Sequence, residues 1–307
     1  METNFKFPVK SQESETPVLK NGFKGEKINI IPRKTLHNYF KGSRNRNLYL
    51  TDIGYFPLAS NHQRQRDKGC GEYILIYCVE GKGIISLNNI SNEIIPNSFF
   101  VIPKNVPHSY YSNPKDPWSI YWVHFNGNYG SEIFRKFNKL NNFRPVKIPF
   151  EQSRINEFNE IIDLLSYGYN DEIFEYSSLL LHKFLGSFIF YTITSEKKMN
   201  TKNDDLVKEI INFLKENINN TLTIDMITNR FNKSTTSIFN IFKAKTGYSI
   251  IHYTNLLKIQ HACELLNLTE MSIKEISYSL NFQDPLYFSR LFKKYMSISP
   301  KEYKKNR

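Results

Sequence analysis

A chain of 307 residues, 40% hydrophobic and 23% charged, is longer than one average domain and has the composition of a folded protein, not a disordered one. The best membrane candidate, residues 179–193, is broken by His182, Lys183 and Gly186 and falls short of the roughly 18 apolar residues a span needs. The N-terminus has no basic-then-apolar leader, so a cytoplasmic protein is expected. Lys and Arg outnumber Asp and Glu by 41 to 29, a net of +12, which suits a polyanionic partner. Cys70, Cys78 and Cys263 fit neither a disulfide framework nor a zinc motif and are expected to be reduced.

Residues 1–35 are polar, with few aliphatic pairs, and predict a poorly ordered arm. Segments 48–53, 72–80, 83–87, 98–103 and 118–125 are rich in β-branched and aromatic residues and predict strands. Gly81, Gly83, Asn88–Asn89, Pro96–Asn97 and Pro103–Asn105 punctuate them, and Gly81 with Gly83 suits a hairpin turn. Short strands at this spacing predict a small sandwich or barrel. After Pro149 the period changes. Ile155, Phe158, Ile161, Ile162 and Leu165 mark one helical stripe, and a second helix over 173–194 carries Leu179, Leu180, Phe184, Phe188 and Tyr191. These stripes serve either a homodimer interface or packing on the barrel. Residues 196–203 are polar and aperiodic and predict a linker, and 204–307 read as helical throughout. The expected class is therefore α+β multidomain: a sensor domain over 36–195, a small β-barrel with C-terminal helices, then an all-α domain over 204–307.

The last hundred residues repeat. At an offset of 50, Ile238, Phe242, Lys243, Ser249 and Tyr253 meet Phe288, Phe292, Lys293, Ser299 and Tyr303. Each copy reads as a short helix, a tight turn and a second helix. Thr223 and Ser234 are candidate caps in the first copy, Ser272 and Asp284 in the second, where Pro285 takes the first helical position. This is the helix-turn-helix pattern, and 250–266 is long enough to connect the copies as one helix. With Ile238, Ile241 and Phe242 inward, Thr235, Thr236, Phe239, Asn240 and Lys243 share the outer face. With Phe288, Leu291 and Phe292 inward, Leu286, Ser289, Arg290, Lys293 and Lys294 do so in the second copy. Arg can grip guanine and Asn adenine bidentately, Thr and Leu offer methyl contacts to thymine, and the lysines suit phosphates. The competing reading is a helical adaptor that binds protein. Charge is not gathered in the C-terminal half overall, but 290–307 hold seven basic residues and one acidic.

The stretch 280–303, LNFQDPLYFSRLFKKYMSISPKEY, resembles the signature of the AraC/XylS family of transcription regulators, and the likeness extends over 204–307. The resemblance implies two helix-turn-helix units joined by a long helix, entering two successive major grooves of double-stranded DNA about 34 Å apart. It places base readers at Thr236, Phe239, Asn240, Leu286, Ser289 and Arg290. The family usually has Gly where Asn281 stands and often a basic residue where Asn240 stands. Residues 45–125, with YILIYCVEGKG (73–83), PNSFFVIPKNVPH (96–108) and WSIYWVHF (118–125), resemble the same family's cupin-like sensor. That likeness places ligand contacts at Arg66 and Trp122, and strand alternation adds Tyr73 and Tyr77. His62, His108 and His124 stand singly, without the His-x-His pair of a metal cupin, and no catalytic arrangement or phosphate loop is present. No metal, cofactor or catalytic residue is expected. The expected protein is a DNA-binding regulator, more often an activator in this family and then a partner of RNA polymerase. Its sensor takes a small effector, a sugar for preference, with Arg64 and Arg66 leaving an acidic metabolite or fatty acid open, and it acts as a homodimer. The alternative is a non-metal cupin enzyme or ligand-binding protein with an accessory helical adaptor.

Overall fold

The computed structural model describes residues 18–42, 47–87, 90–194, 202–220 and 222–305. The chain divides into two compact units, Met1–Ser195 and Glu196–Arg307.

In the first unit β1 (Lys27–Ile30) and α1 (Arg33–Gly42) precede β2 (Tyr49–Phe56), β3 (Gln63–Arg66), β4 (Tyr73–Glu80) and β5 (Gly83–Leu87). β6 (Ile90–Ile94), β7 (Ser98–Ile102), β8 (His108–Ser112) and β9 (Ser119–Asn126) follow. Then come α2 (Asn128–Asn141), β10 (Val146–Lys147), α3 (Gln152–Ser166), α4 (Asp171–Ile189) and α5 (Tyr191–Thr194). Two antiparallel sheets form a barrel, one ordered β1-β2-β9-β4-β7-β10 and the other β3-β8-β5-β6. β2, β4 and β7 of the larger sheet are buried on both faces, because the helices cover its outer side: β4 is buried without interruption from Tyr73 to Cys78. The smaller sheet has a wet face, and β5 alternates buried with half-buried residues.

Three expectations change here. Residues 18–35 are not an arm: β1 pairs with β2, Phe23 and Ile31 are buried in the core, and α1 begins at Arg33. The arm expected over 1–17 and most of the linker lie outside the described residues, while Lys202 and Asn203 already belong to a helix. Gly81 and Gly83 do not turn a hairpin, since β4 and β5 belong to different sheets. They make the corner between the sheets. Gly81 has φ 59°, and a Cβ there would meet the Pro117 carbonyl oxygen at 2.1 Å; one on Gly83 would meet the Trp118 ring at 2.2 Å.

The stripes of α3 and α4 pack on their own barrel: Phe158, Ile161, Phe184, Leu185 and Phe188 are buried in its core. Tyr176 and Leu179 of α4 remain exposed.

The second unit is helical: α6 (Lys202–Glu216), α7 (Ile224–Phe231), α8 (Thr235–Thr246), α9 (Ile250–Leu268), α10 (Ile273–Ser279), α11 (Pro285–Met296) and α12 (Pro300–Lys305). It holds two separate cores. One gathers Ile210, Leu214, Ile227, Ile238 and Phe242; the other gathers Leu266, Ile276, Leu280, Phe288 and Phe292. α9 serves both, with Ile250 and Leu257 in the first and Ile259, Ala262 and Leu266 in the second.

Candidate nucleic-acid interface and ligand cavity

Local chemistry sets the two helix pairs. The Thr223 hydroxyl accepts the Met226 N–H to start α7, and the Ser234 hydroxyl accepts the Ser237 N–H to start α8. In the second pair Ser272 and Glu275 cap α10 reciprocally, and the Asp284 carboxylate accepts the N–H groups of Leu286 and Tyr287 at 2.8 and 3.1 Å. Pro285 then stands where its missing N–H is no loss. Between the helices of each pair the backbone turns through one left-handed residue, Asn232 at φ 48° and Asn281 at φ 57°. Asparagine is the residue type that best replaces glycine there, so the departure at 281 keeps the turn.

Ile238 and Phe242 of α8, and Phe288, Leu291 and Phe292 of α11, are buried. On the opposite faces Thr235, Thr236, Asn240 and Lys243 are exposed, as are Leu286, Arg290, Lys293 and Lys294. Among the described residues Arg290 is held only by an exposed pair with Asp284 at 3.7 Å, which leaves its guanidinium able to change partners. Two candidates differ from expectation. Phe239 is half-buried and packs on the first core, because its position flanks the inward stripe. Ser289 is half-buried too, and its hydroxyl donates to the Pro285 carbonyl at 2.8 Å, so only its lone pairs remain for a partner.

The barrel holds a half-open cavity of about 300 Å³, the lower end of the range for small-molecule sites. Residues of both sheets line it. Phe56, Ile76, Ile120 and Trp122 supply apolar surface. Gly54 sits across from Trp122, and a Cβ there would lie 2.3 Å from the indole; glycine is what gives that ring its room. The polar side is layered. Arg33 bridges Asp52 at 2.7 Å and Glu72 at 3.2 Å, and the Thr51 hydroxyl donates to the same Asp52 oxygen. Arg66 donates from Nη1 to Tyr110 Oη at 3.1 Å and lies 3.3 Å from His108 Nε2.

The histidines are kept neutral. Burial, helped by Arg64 and Arg66, pushes His62 down to about 3. Burial pushes His124 down to about 3 despite the opposing Asp52, and lowers His108 as well. Trp118 Nε1 donates to His62 Nδ1 at 3.2 Å, so the His62 proton sits on Nε2. His62 Nε2 and Trp122 Nε1 are buried without a hydrogen-bond partner among the described residues.

Of the four expected ligand residues, Arg66 and Trp122 line this cavity and Tyr73 and Tyr77 do not. Tyr73 stacks on Phe125 and Phe134, and Tyr77 packs edge-on against Phe188. The alternation was right about their shared face, but on a strand buried on both sides it cannot say which face is inner; Ile76 takes the inner one. Arg33, Asp52, His62, Glu72 and His124 were missed. No local signal marks them, because 19 residues separate Arg33 from Asp52 and 72 separate Asp52 from His124. Among the described residues no group of three His, Cys, Asp or Glu side chains is placed to hold a metal ion.

Residues 54–180 match the family described as AraC-like ligand binding domain, and residues 227–306 match a helix-turn-helix domain family. The chain belongs to the AraC/XylS family of transcriptional regulators. Members similar to it along most of their length include the MmsAB operon regulatory protein of Pseudomonas aeruginosa, 24% identical over 89% of this chain and 88% of that one. The Msm operon regulatory protein of Streptococcus mutans is 24% identical over 83% of this chain and 95% of its own. The lactose operon transcription activator of Staphylococcus xylosus is 22% identical over 75% and 83%. As an AraC/XylS protein the chain pairs a ligand-binding domain with a DNA-binding one, and among the described residues no helix is long and apolar enough to cross a membrane.

Proposed function

We propose that this chain is a one-component cytoplasmic regulator whose barrel binds a sugar, and that the bound sugar changes how α8 and α11 engage two successive major grooves. The sensor runs from residue 18 to the link, and the reader begins with α6 at Lys202, which leaves 196–201 as the link. The observation that carries the reading is the cavity itself: an indole beside fixed donors and acceptors, the pairing that a ring with one apolar face and a rim of hydroxyls requires. A relative named for the lactose operon supports both the sugar and an activating role, and hence contact with RNA polymerase. The homodimer has as its support the exposed Tyr176 and Leu179 of α4. The effector must bind two states of the protein unequally to act.

The test is binding of the purified chain to the intergenic DNA upstream of its own gene, against scrambled DNA, over a salt series with and without sugars. Preference for the upstream fragment, affinity falling as salt rises and a shift on adding one sugar are expected. DNA binding that no sugar alters removes the effector. No DNA binding at low salt removes the reader.

Thr235, Thr236, Asn240, Leu286 and Arg290 are the base-reading candidates, with Lys243, Lys293 and Lys294 on phosphates; Phe239 and Ser289 support the helices from beneath. Arg290→Ala is expected to weaken specific binding by about 1–3 kcal/mol and to relax one base position in a selection experiment. An equal loss on unrelated sequences would place Arg290 on the phosphate backbone.

A further inference from the structure

We infer that the ligand of this cavity is an anionic monosaccharide, its charged group seated on Arg66. The inference rests on the sugar reading above and adds the charge. Three arginines line the cavity, Arg33, Arg64 and Arg66, against two carboxylates, Asp52 and Glu72. Arg33 occupies both carboxylates by itself. Among the described residues no carboxylate comes within ion-pair distance of Arg66 or Arg64, and Arg64 only reaches the Lys20 carbonyl at 3.5 Å.

The partners that Arg66 does have are neutral. His108 Nδ1 donates to the Val106 carbonyl at 2.8 Å, so its Nε2 is an acceptor, and the second partner is the Tyr110 hydroxyl. Both use Nη1 alone. Among the described residues no hydrogen bond takes Nη2 or Nε, and a guanidinium with that edge unused matches the two oxygens of a carboxylate or of a phosphate. These contacts orient Arg66 without neutralising it, and Glu72, which also acts on it, does so from beyond ion-pair distance while paired to Arg33.

His62 is 2% exposed, and among the described residues its Nε2–H has no partner; the Trp122 indole N–H has none either. The two rings pack on the same Phe56 side chain, with centroids 5.1 and 5.3 Å from it. Both N–H groups are buried within the cavity wall, so what the cavity itself offers is an indole beside an arginine that no carboxylate pairs. It is short of acceptors for that charge, and the oxygens of an anion supply them. A neutral hexose would leave the charge unmatched; an alkyl carboxylate would satisfy the charge and leave the indole face without a ring.

The experiment is calorimetric titration of the full-length protein with ligands that differ in one group. Glucose and galactose are neutral; glucuronate and galacturonate carry a carboxylate at the same carbon; the 6-phosphates carry a phosphate there; hexanoate has the carboxylate without the ring. One of the acidic sugars is expected to bind at least about tenfold tighter than its neutral parent. The uronate and phosphate arms show which anion supplies the charge. In Arg66→Gln the advantage over the neutral parent is expected to vanish, and Arg66→Lys to restore part of it; melting curves of the unliganded variants confirm that they fold. Neutral sugars binding as tightly as acidic ones would overturn the anion and leave the sugar reading standing. Hexanoate binding as tightly as the acidic sugars would keep the anion and overturn the sugar, and with it this inference; no binding by any of the set would overturn both.

Discussion

Lowering the pH from 7 to 5 is expected to remove about 4 kcal/mol from the stability of the barrel, above the range in which carboxylates titrate. His62 and His124 are each pushed from 6.5 down to about 3, chiefly by burial. The fold therefore keeps them neutral, and the unfolded chain takes up a proton on each near pH 6.5. Because the unfolded state binds more protons, stability is full above pH 6.5 and falls as pH drops toward 3. Each histidine contributes about 1.4 kcal/mol per pH unit within that window. The groups facing them agree with the sign. Arg64 and Arg66 oppose a charge on His62; Arg33, Arg66 and His108 oppose one on His124, against Asp52 alone in favour.

Both tryptophans of the chain report on this event, since Trp118 is bonded to His62 and the Trp122 ring lies 5.5 Å from that of His124. Urea titrations followed by tryptophan fluorescence at pH 7 and pH 5 therefore read the barrel and not the helical unit. His62→Gln, which keeps an acceptor for Trp118 and cannot be protonated, is expected to remove about half of the pH dependence. An unchanged midpoint at pH 5 would mean that the fold protonates both histidines.

The helical unit was legible because its signals are local. A cap is one side chain reaching its own backbone two or three residues on, so Thr223, Ser234, Ser272 and Asp284 could be named from the sequence and stand where expected. The repeat, seen twice, then fixed the inward stripes. The barrel was legible only in its middle strands. β3, QRQR, and β6, ISNEI, carry no apolar run, because one face of the smaller sheet meets water. β1 has only four residues and owes its place to pairing with β2. The cavity was the least legible part. His62, His108 and His124 looked solitary in sequence, and the closing of the sheets brings two of them to the cavity and the third to Arg66 behind it. Such a site is set by long-range register: Asp52 faces His124 because β2 pairs with β9 in that register and no other.

The separation of the two helical cores leads to a prediction about DNA rather than about stability alone. Phe292 is fully buried among nine residues, with its ring 5.9 Å from Phe288 and 5.6 Å from Tyr303. Phe292→Ala is expected to destabilise this core by about 3–5 kcal/mol, because so small a cluster cannot close over the missing ring. That is a large fraction of what a core of this size can supply. The second helix pair should then lose its structure, while the first keeps its own core around Ile238 and Phe242. On an operator bound through both helix pairs, the footprint is expected to shrink from two successive major grooves to one, with affinity falling by more than about a hundredfold. Phe242→Ala is the mirror experiment and should erase the other half. α9 is the one element that could defeat this, since Ile250 and Leu257 belong to one core and Ile259, Ala262 and Leu266 to the other. Its nineteen residues run unbroken between the two. If unfolding one core frays α9 past its middle, both variants will lose both halves of the footprint, and the two helix pairs must then be treated as a single cooperative unit. Protection of one half-site in each variant, at opposite ends of the operator, would establish that α9 joins two cores that stand independently.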